Sequence, residues 1–276
     1  MIFFGLQELI EQALAEDIGP GDITTLNLVS PGVTARGEFR SKAAGVVAGL
    51  DICRAVFQRL DPQAVFTPGK QDGDSIVPGD LLAEVQGETQ ALLTGERVAL
   101  NFLQRLSGIA TKTRHMSELI ADQKAQLVDT RKTTPGLRNL EKYAVKAGGG
   151  RNHRIGLFDG VMIKDNHIQA AGGIKQAVVT VREKVPHTLK IEVEVENLAQ
   201  LEEALQAGAD IIMLDNMDLA TMKEAVRIVN GRALLEASGG INEATIVDVA
   251  GTGVDFISCG ALTHSAASLD ISFYLR

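Results

Sequence analysis

Two short segments concentrate positively charged side chains in an otherwise acidic chain. Residues 129–138 read DTRKTTPGLR, and residues 148–167 read GGGRNHRIGLFDGVMIKDNH. A guanidinium group can bind a carboxylate through two parallel hydrogen bonds, which makes arginine suited to polycarboxylate ligands. We therefore predict a site for a ligand with more than one carboxylate, formed by Arg131, Lys132, His153, Arg154 and Lys164. The alternative for Arg131 and Arg154 is a salt-bridged position on the surface.

Two acidic residues later in the chain could complement this cationic set. Glu194 lies in an alternating run, EVEVE, and Asp215 follows the next apolar stretch. The alternation shows only that Glu192, Glu194 and Glu196 share one face of a strand, so a solvated face is the alternative interpretation. The position of Glu194 at the end of the predicted strand favours it as the site residue. Because magnesium prefers oxygen ligands shared with substrate phosphates, we expect Glu194 and Asp215 to bind ribose hydroxyls or Mg²⁺, directly or through water or substrate.

Small residues follow the last two predicted strands. Ser238-Gly239-Gly240 comes after one strand and Gly260-Ala261 after the other. Barrel proteins commonly bind phosphate at these strand ends through backbone N–H groups. Either segment alone could be a simple turn, but their joint placement favours a phosphate site. The predicted ligand pair is thus a polycarboxylate and a phosphorylated sugar.

The elements that position these residues follow an alternating pattern after Gly108. Short apolar strands alternate with helical segments, which indicates a parallel sheet with crossover helices. The predicted strands are Leu127-Val128, Val161 to Ile163, Ile191 to Val195, Ile211 to Leu214, Leu234-Leu235 and Phe256 to Ser258. Later strand ends recur at steps of about 21 residues, which favours a barrel over an open sheet. A full eightfold barrel needs about 250 residues, so we predict an incomplete parallel α/β barrel of about six strands over residues 109–267.

Residues 1–108 are predicted to form a separate, mixed α/β domain. An amphipathic helix precedes Gly19, strand-and-turn patterning runs from about 37 to 87, and a helix is predicted from Asp51 to Leu60. A further helix, about 91–106, carries Arg97 and Arg105 on one face. The apolar tail 268–276 is predicted to join this domain. The fold class is therefore α/β, with two domains.

Composition excludes several classes of protein. The net charge of -8 disfavours bulk attraction to nucleic acid or to an anionic membrane. Cys53 and Cys259 are the two cysteines, and their spacing matches neither a disulfide framework nor a zinc site. The apolar start Met1-Ile2-Phe3-Phe4 has no basic n-region and is soon followed by polar residues, which argues against a signal peptide. We expect a cytoplasmic enzyme.

These motifs together resemble the quinolinate phosphoribosyltransferase family, whose members are also called nicotinate-nucleotide pyrophosphorylases (carboxylating). The resemblance rests on the two cationic segments above and on EDIGPGDIT, EVEVEN, MLDN, EASGGI and GALTHS, in the order of the family. It covers essentially the whole chain, and several long motifs are far more specific than one glycine-rich fingerprint. Cys259 stands where an apolar residue is more usual, and we expect it to pack inertly.

The resemblance implies a reaction and a role for each predicted site residue. The expected reaction transfers phosphoribosyl from phosphoribosyl pyrophosphate to quinolinate and removes one carboxylate, with Mg²⁺ as the cofactor. Lys132, Lys164, Glu194 and Asp215 would be catalytic; the last two would contact the ribose and Mg²⁺. The resemblance assigns quinolinate to Arg131, Lys132, His153, Arg154 and Lys164, and the 5-phosphate to Ser238, Gly239, Gly240, Gly260 and Ala261. It also implies a homodimer, or a higher oligomer, in which Arg105 reaches into the site of the partner subunit.

Two other functions remain open from the sequence. Lys164 at a strand end could form a Schiff base with a phosphosugar carbonyl, as in aldolase-type lyases. A binding protein without turnover, or a paralogue acting on a related acid, could keep the same pocket. Structural roles are expected for His167 and His264, and a surface or interface position for Arg97.

Overall fold

The computed structural model describes residues 5–276, so the apolar start Met1–Phe4 and the prediction made for it lie outside the described residues. The chain divides into two compact units. The first contains residues up to 114 together with 134–149 and 265–276, and the second contains 115–133 and 150–264. Among residues 5–276 no helix combines the length and the apolar character needed to cross a bilayer.

The first unit combines five helices with antiparallel strands. Its helices are α1 (Leu6–Ile18), α2 (Ile23–Leu28), α3 (Leu50–Leu60), α4 (Thr89–Leu119) and α5 (Arg138–Ala147). Its strands are β1 (Thr34–Ser41), β2 (Gly45–Val46), β3 (Val65–Pro68), β4 (Ser75–Ile76), β5 (Leu81–Glu88) and β12 (Ile271–Leu275). Four of them form a sheet in the order β12-β1-β5-β3, and β2 pairs with β4.

The C-terminal strand belongs to this first unit because it pairs with β1. Gly37 lies opposite Leu275, and Phe39 lies opposite Phe273. The rings of Phe39 and Phe273 are 4.9 Å apart, and Phe57 packs edge-on against Phe39. A Cβ atom at Gly37 would overlap the Phe273 ring, so glycine is required for this packing. The aromatic tail thus completes the core of the unit.

The boundaries of the first unit differ from the predicted domain boundaries. The predicted boundary after residue 108 falls inside α4, which is continuous to Leu119. Residues 134–149, which the prediction assigned to the barrel, belong to the first unit. The cause is close packing: a Cβ atom at Gly148 would lie 2.4 Å from the carbonyl oxygen of Ala110 in α4. Such contacts between distant segments leave no periodic signal in the sequence.

The second unit is built on a parallel sheet of six strands. The strands are β6 (Gln126–Val128), β7 (Val161–Ile163), β8 (Ile191–Val195), β9 (Ile211–Asp215), β10 (Leu234–Ser238) and β11 (Phe256–Ser258). They lie in the order β6-β11-β10-β9-β8-β7. The helices are α6 (Asp165–Ala171), α7 (Ile174–Lys184), α8 (Leu198–Gln206), α9 (Leu219–Val229), α10 (Ile246–Ala250) and α11 (Ala261–His264). The prediction of an α/β fold with a six-stranded parallel sheet is confirmed.

The alternation of side chains along these strands decides what faces the interior of the barrel. On β8, Val193 and Val195 are fully buried on the face opposite to that of Glu192 and Glu194. Helices α7 and α8 pack against β8 on the valine side. The glutamates therefore point inward, where a barrel normally holds branched apolar side chains. This polar interior is the first structural sign of a functional site.

Candidate active site

One cavity at the C-terminal ends of the strands gathers most of the predicted site residues. We call this cavity, of about 590 Å³, the mouth cavity. Its lining is Thr130, Arg131, Lys132, His153, Arg154, Met162, Lys164, Glu194, Met213, Asp215, Asn216, Glu236, Ser238, Gly239, Gly240 and Ser258. The ends of parallel strands converge at this side of an α/β barrel, which explains how residues far apart in sequence meet.

The arginines of the mouth cavity lie close enough to repel each other. Burial, and then the charge of the neighbouring Arg131, lower the pKa of Arg154 from its usual value. Arg154 Nη1 donates to the carbonyl oxygen of Gly160 at 3.1 Å, which holds its guanidinium in place. Two like charges held together in a partly buried cavity indicate a site for an anion with several negative charges.

Lys164 pairs with one of the predicted acids. Its Nζ lies 2.5 Å from Glu194 Oε2, and the Glu194 side chain is 17 % exposed. This ion pair stabilises the ammonium form of Lys164, whereas a Schiff-base lysine must lose its proton to attack a carbonyl. The lyase alternative is therefore disfavoured by the geometry. His167 Nδ1 accepts from the backbone N–H of Lys164 at 3.1 Å, so His167 has the structural role expected of it.

The glycine segment after β10 has a left-handed backbone, a conformation that favours glycine. Gly239 has φ +101° and Gly240 has φ +63°, and both line the mouth cavity. A Cβ atom at Gly239 would lie 2.1 Å from Asn216 Oδ1, so glycine is required there. The Asn216 side chain in turn donates to Asp215 Oδ2 at 2.8 Å. This segment therefore brings backbone N–H groups and the acid of β9 together.

Some predicted site residues lie outside the lining of the mouth cavity. Within the described part of the chain, that lining does not include Gly260 or Ala261. Gly260 instead packs beneath Lys132: a Cβ atom there would lie 3.0 Å from Lys132 Cδ. Thr263 Oγ1 also donates to the carbonyl oxygen of Lys132 at 2.7 Å. The segment after β11 thus supports the position of Lys132.

Arg105 belongs to the first unit, where three of its nitrogen atoms are hydrogen-bonded. Its Nε and Nη2 donate to Glu141 Oε1 at 3.2 and 2.8 Å, and its Nη1 donates to the carbonyl oxygen of Ala266 at 2.9 Å. The Glu141 side chain is fully buried and also accepts from Thr134. Removing the Arg105 guanidinium would leave this buried carboxylate without its cationic partner, at a cost of several kcal/mol. Arg105 thus pairs within its own unit, and its contribution to the site of a partner subunit stays a prediction.

Sequence reasoning missed two buried acids inside the barrel. The Glu192 and Glu236 side chains are 5 % and 4 % exposed, so the alternative interpretation of a solvated face does not hold for Glu192. Strand β10 runs to Ser238 rather than ending at Leu235, which places Glu236 within the strand. A signal was available in the sequence. Glu192 lies two residues before Glu194, and Glu236 lies two residues before Ser238, so on a strand each acid shares a face with a predicted site residue.

These acids form, with His153, a cluster that we call the acid cluster. His153 Nε2 lies 2.9 Å from Glu192 Oε2 and 3.8 Å from Glu236 Oε2. One oxygen of each glutamate, Oε1, is buried without a hydrogen-bond partner in the protein. Burial, and then the Glu192 carboxylate, raise the pKa of Glu236 to about 7, while His153 and Ser258 oppose this increase.

The acid cluster has the composition of a metal site, but its hydrogen bonds argue against one. Three potential ligand atoms lie within 4.8 Å of one another, one each from the described residues His153, Glu192 and Glu236. However, His153 Nδ1 accepts from the backbone N–H of Arg154 at 2.7 Å. That bond assigns the ring proton to Nε2, which then donates to Glu192 and has no lone pair for a metal. The cluster is therefore one of hydrogen bonds and protons.

The fold and the mouth cavity define an α/β-barrel enzyme that binds anionic substrates at its strand ends. Models of the two domains of quinolinate phosphoribosyl transferase match the chain, the N-terminal domain over residues 22–107 and the C-terminal domain over 109–274. The chain is 47 % identical over 267 residues to the probable nicotinate-nucleotide pyrophosphorylase (carboxylating) of Bacillus subtilis, a match that covers 97 % of this chain and 92 % of that protein. A Synechocystis protein of the same name is 48 % identical, with 96 % and 91 % covered. The crystal structure of NadC from Streptococcus pyogenes superposes with a TM-score of 0.96 at 44 % identity, with 100 % and 98 % of the two chains covered.

The chain therefore belongs to the quinolinate phosphoribosyltransferase family. It is an enzyme of pyridine nucleotide biosynthesis. It transfers phosphoribosyl from phosphoribosyl pyrophosphate to quinolinate and decarboxylates the product, which yields nicotinate mononucleotide, pyrophosphate and CO₂.

Proposed function

We propose that quinolinate binds in the mouth cavity against Arg131, Arg154 and Lys164, with Lys132 and His153 completing the set. The observation that supports this assignment most directly is that Arg131, Arg154 and Lys164 line one cavity. Burial and then repulsion by Arg131 lower the pKa of Arg154 there. A dianionic aromatic acid would relieve that repulsion, because each guanidinium can bind one carboxylate. Nicotinate carries a single carboxylate and would leave part of the cationic set unmatched, which explains a preference for quinolinate.

The transfer step needs alignment and charge compensation rather than a protein nucleophile. The pyridine nitrogen of quinolinate attacks C1 of the ribose as pyrophosphate leaves, through a state with oxocarbenium character. Lys132 and Lys164 compensate negative charge on the leaving group and on the carboxylates. Alkylation makes the ring nitrogen cationic, so it can stabilise the carbanion that remains when the adjacent carboxylate leaves as CO₂. Lys164 and the arginines hold the other carboxylate during this step.

Glu194 and Asp215 are the residues that fit a magnesium ion. Both line the mouth cavity at the ends of the adjacent strands β8 and β9, and both offer carboxylate oxygens, the ligands that Mg²⁺ prefers. When bound, Mg²⁺ would offset the negative charge of phosphoribosyl pyrophosphate. Glu194 and Asp215 would also accept hydrogen bonds from the ribose hydroxyls and so orient C1 toward the pyridine nitrogen.

The segment Ser238-Gly239-Gly240 is proposed to bind the 5-phosphate through backbone N–H groups, with Gly260 and Ala261 supporting the site beside Lys132. Replacing Gly239 by alanine should raise KM for phosphoribosyl pyrophosphate about tenfold, because the new Cβ would displace Asn216 and distort the segment. Steady-state kinetics would measure the change. The matched control is Gly231→Ala, which has a similar φ of +76° but open space around its Cβ and lies outside the mouth cavity. Equal kinetic effects of the two variants would contradict the assignment.

A homodimer with shared sites, located in the cytoplasm, remains the proposed state of the enzyme. The family resemblance supports the dimer, and the two buried cysteines Cys53 and Cys259, which form no disulfide, suit a reducing compartment. Light scattering would give the mass of the assembly. The contribution of Arg105 to the site of the partner subunit remains part of this proposal.

Incubation of the purified chain with quinolinate, phosphoribosyl pyrophosphate and Mg²⁺ tests the function directly. Nicotinate mononucleotide, pyrophosphate and CO₂ should form in equal amounts. Pyrophosphate without CO₂ would indicate cleavage of phosphoribosyl pyrophosphate without decarboxylation and would contradict the proposed reaction. Covalent labelling of Lys164 by a phosphosugar and borohydride would instead indicate a lyase.

A further inference from the structure

Decarboxylation leaves an electron pair on C2 of the pyridine ring, and a proton must replace the lost carboxylate. The C2–carboxylate bond breaks, CO₂ departs, and the electron pair stays on C2 until a new C–H bond forms. The donor must lie in the mouth cavity and carry an acidic proton at neutral pH. The arginines cannot supply it, because guanidinium groups do not lose protons in proteins.

We propose that the carboxylic acid of Glu236 donates this proton to C2 and is then reprotonated from a second cavity on the opposite side of the acid cluster. This inference rests on the proposed binding of quinolinate in the mouth cavity. Glu236 lines that cavity, is nearly fully buried, and keeps its Oε1 without a partner in the protein. An unpartnered buried carboxylic oxygen is free to act on a ligand atom without first breaking a bond.

The second cavity, which we call the inner cavity, has a volume of about 490 Å³. Residues at the beginnings of strands line it, among them Val161, Ile211 and Phe256, so it lies toward the N-terminal ends of the barrel strands. Its rim includes the exposed residues Thr188 and Lys190, which connect it with solvent. A bound substrate would occupy the mouth cavity, and the inner cavity would still admit water.

Three residues line both cavities: His153, Arg154 and Glu236. Glu236 therefore stands where a proton could enter from the inner cavity and leave into the mouth cavity. Glu192 also lines the inner cavity and lies within the acid cluster, so the boundary between that cavity and Glu236 is polar. His153 acts as a positioning residue, because its Nε2–H fixes the Glu192 carboxylate at 2.9 Å.

The charges around Glu236 favour a neutral acid over a carboxylate. Glu192 faces it from β8, Asp129 from the end of β6, His153 from the segment before β7, and Ser258 from β11. The two nearby acids and burial raise the pKa of Glu236 to about 7, against the opposing effects of His153 and Ser258. Glu236 thus holds a proton near neutral pH, and loses it as the pH rises through that value.

Lys164 is a second candidate donor in the mouth cavity. Its ammonium group pairs with Glu194 at 2.5 Å, and it is proposed to hold a carboxylate of the substrate. A donor that also provides the binding charge would weaken substrate binding when it loses its proton. Glu236 has no proposed role in binding a carboxylate of the substrate, so it is favoured as the proton donor.

A single-turnover experiment with Glu236→Gln separates the proton donor from the earlier steps. Pyrophosphate should appear at a rate within about threefold of the wild type, because phosphoribosyl transfer needs no proton from Glu236. Nicotinate mononucleotide should form about 100-fold more slowly. Glu236→Asp should restore part of the rate, and the exposed Glu243→Gln should behave as the wild type. Equal slowing of pyrophosphate and nucleotide would assign Glu236 to structure or to transfer and overturn the proposal.

Two further measurements distinguish a donor from a structural residue. The wild-type rate of nucleotide formation should fall as the pH rises above about 7, and this dependence should disappear in Glu236→Gln. In equal volumes of H₂O and D₂O, the ratio of hydrogen to deuterium at C2 of the product should differ between the two proteins, because different donors protonate C2. Identical ratios would overturn the proposal. If the wild type itself formed no nucleotide, the proposed function would fail, which is a distinct result.

Discussion

Replacing Arg131 and Arg154 together by alanine is expected to lower kcat/KM for quinolinate by about 100-fold or more. Each single variant should lose at least about tenfold, or roughly 1.4 kcal/mol, because each guanidinium is expected to bind one carboxylate of the substrate. Steady-state kinetics with quinolinate as the varied substrate measures the effect. KM for phosphoribosyl pyrophosphate should change by less than about threefold, since the phosphate segment is intact.

The matched control for this pair is Arg227→Ala. Arg227 lies in α9, its side chain is 76 % exposed, and it pairs only locally with Glu224 among the interactions that the structure shows for it. Loss of an exposed pair of this kind is expected to leave the kinetics unchanged. Near-wild-type kinetics in both single variants would refute the assignment of quinolinate to the mouth cavity. Equal losses in Arg227→Ala would point to a general effect of removing positive charge.

Replacing Arg105 by alanine is expected to destabilise the protein by about 3 kcal/mol, because the fully buried Glu141 carboxylate would lose its cationic partner. The midpoint of thermal unfolding should fall by roughly 6 °C, as measured by calorimetry or circular dichroism. Adding Glu141→Gln to the variant should recover part of the loss, because it removes the unpaired buried charge. The recovery would separate the charge effect from a simple loss of packing.

Arg97 provides the matched control for Arg105. It lies in the same helix, α4, but is exposed, so Arg97→Ala should change the unfolding midpoint by less than about 1 °C. If Arg105→Ala kept the wild-type midpoint and lost activity, the role in architecture would be wrong. The implied contribution of Arg105 to the site of a partner subunit would then be favoured, and mixed dimers with Lys164→Ala would test it.

The convergence of the cationic residues could be predicted because it depends on a general property of parallel barrels. Arg131 follows β6 and Lys164 follows β7, so the placement of the strands was sufficient to bring them to one end of the barrel. Short apolar runs separated by helical segments made those strands recognisable. Residue type then indicated a polycarboxylate. None of these steps required knowledge of an exact distance.

The acid cluster could not be predicted in the same way. An acid in a short apolar strand can face water or the interior, and the choice depends on which face the neighbouring helices cover. Extension of β10 to Ser238 placed Glu236 inside the barrel, where the carboxylates of Glu236 and Glu192 both approach His153 Nε2. The partners of Glu236 come from two other strands and two loop segments, so no local pattern in the sequence reports them.

The domain boundaries and the pairing of Arg105 also depend on contacts between distant segments, which the sequence does not show. Segment 134–149 follows a barrel strand in the chain, yet it packs in the first unit through Glu141 and Gly148. The sequence alone determined the order of the elements, the parallel sheet, and which charges meet at its strand ends, because these follow from periodicity and chain direction. Only the tertiary structure showed that Glu192 and Glu236 are buried and that Arg105 pairs with Glu141. Burial and pairing depend on contacts between segments far apart in the chain, and such contacts set both the dielectric environment and the cost of an unpaired charge.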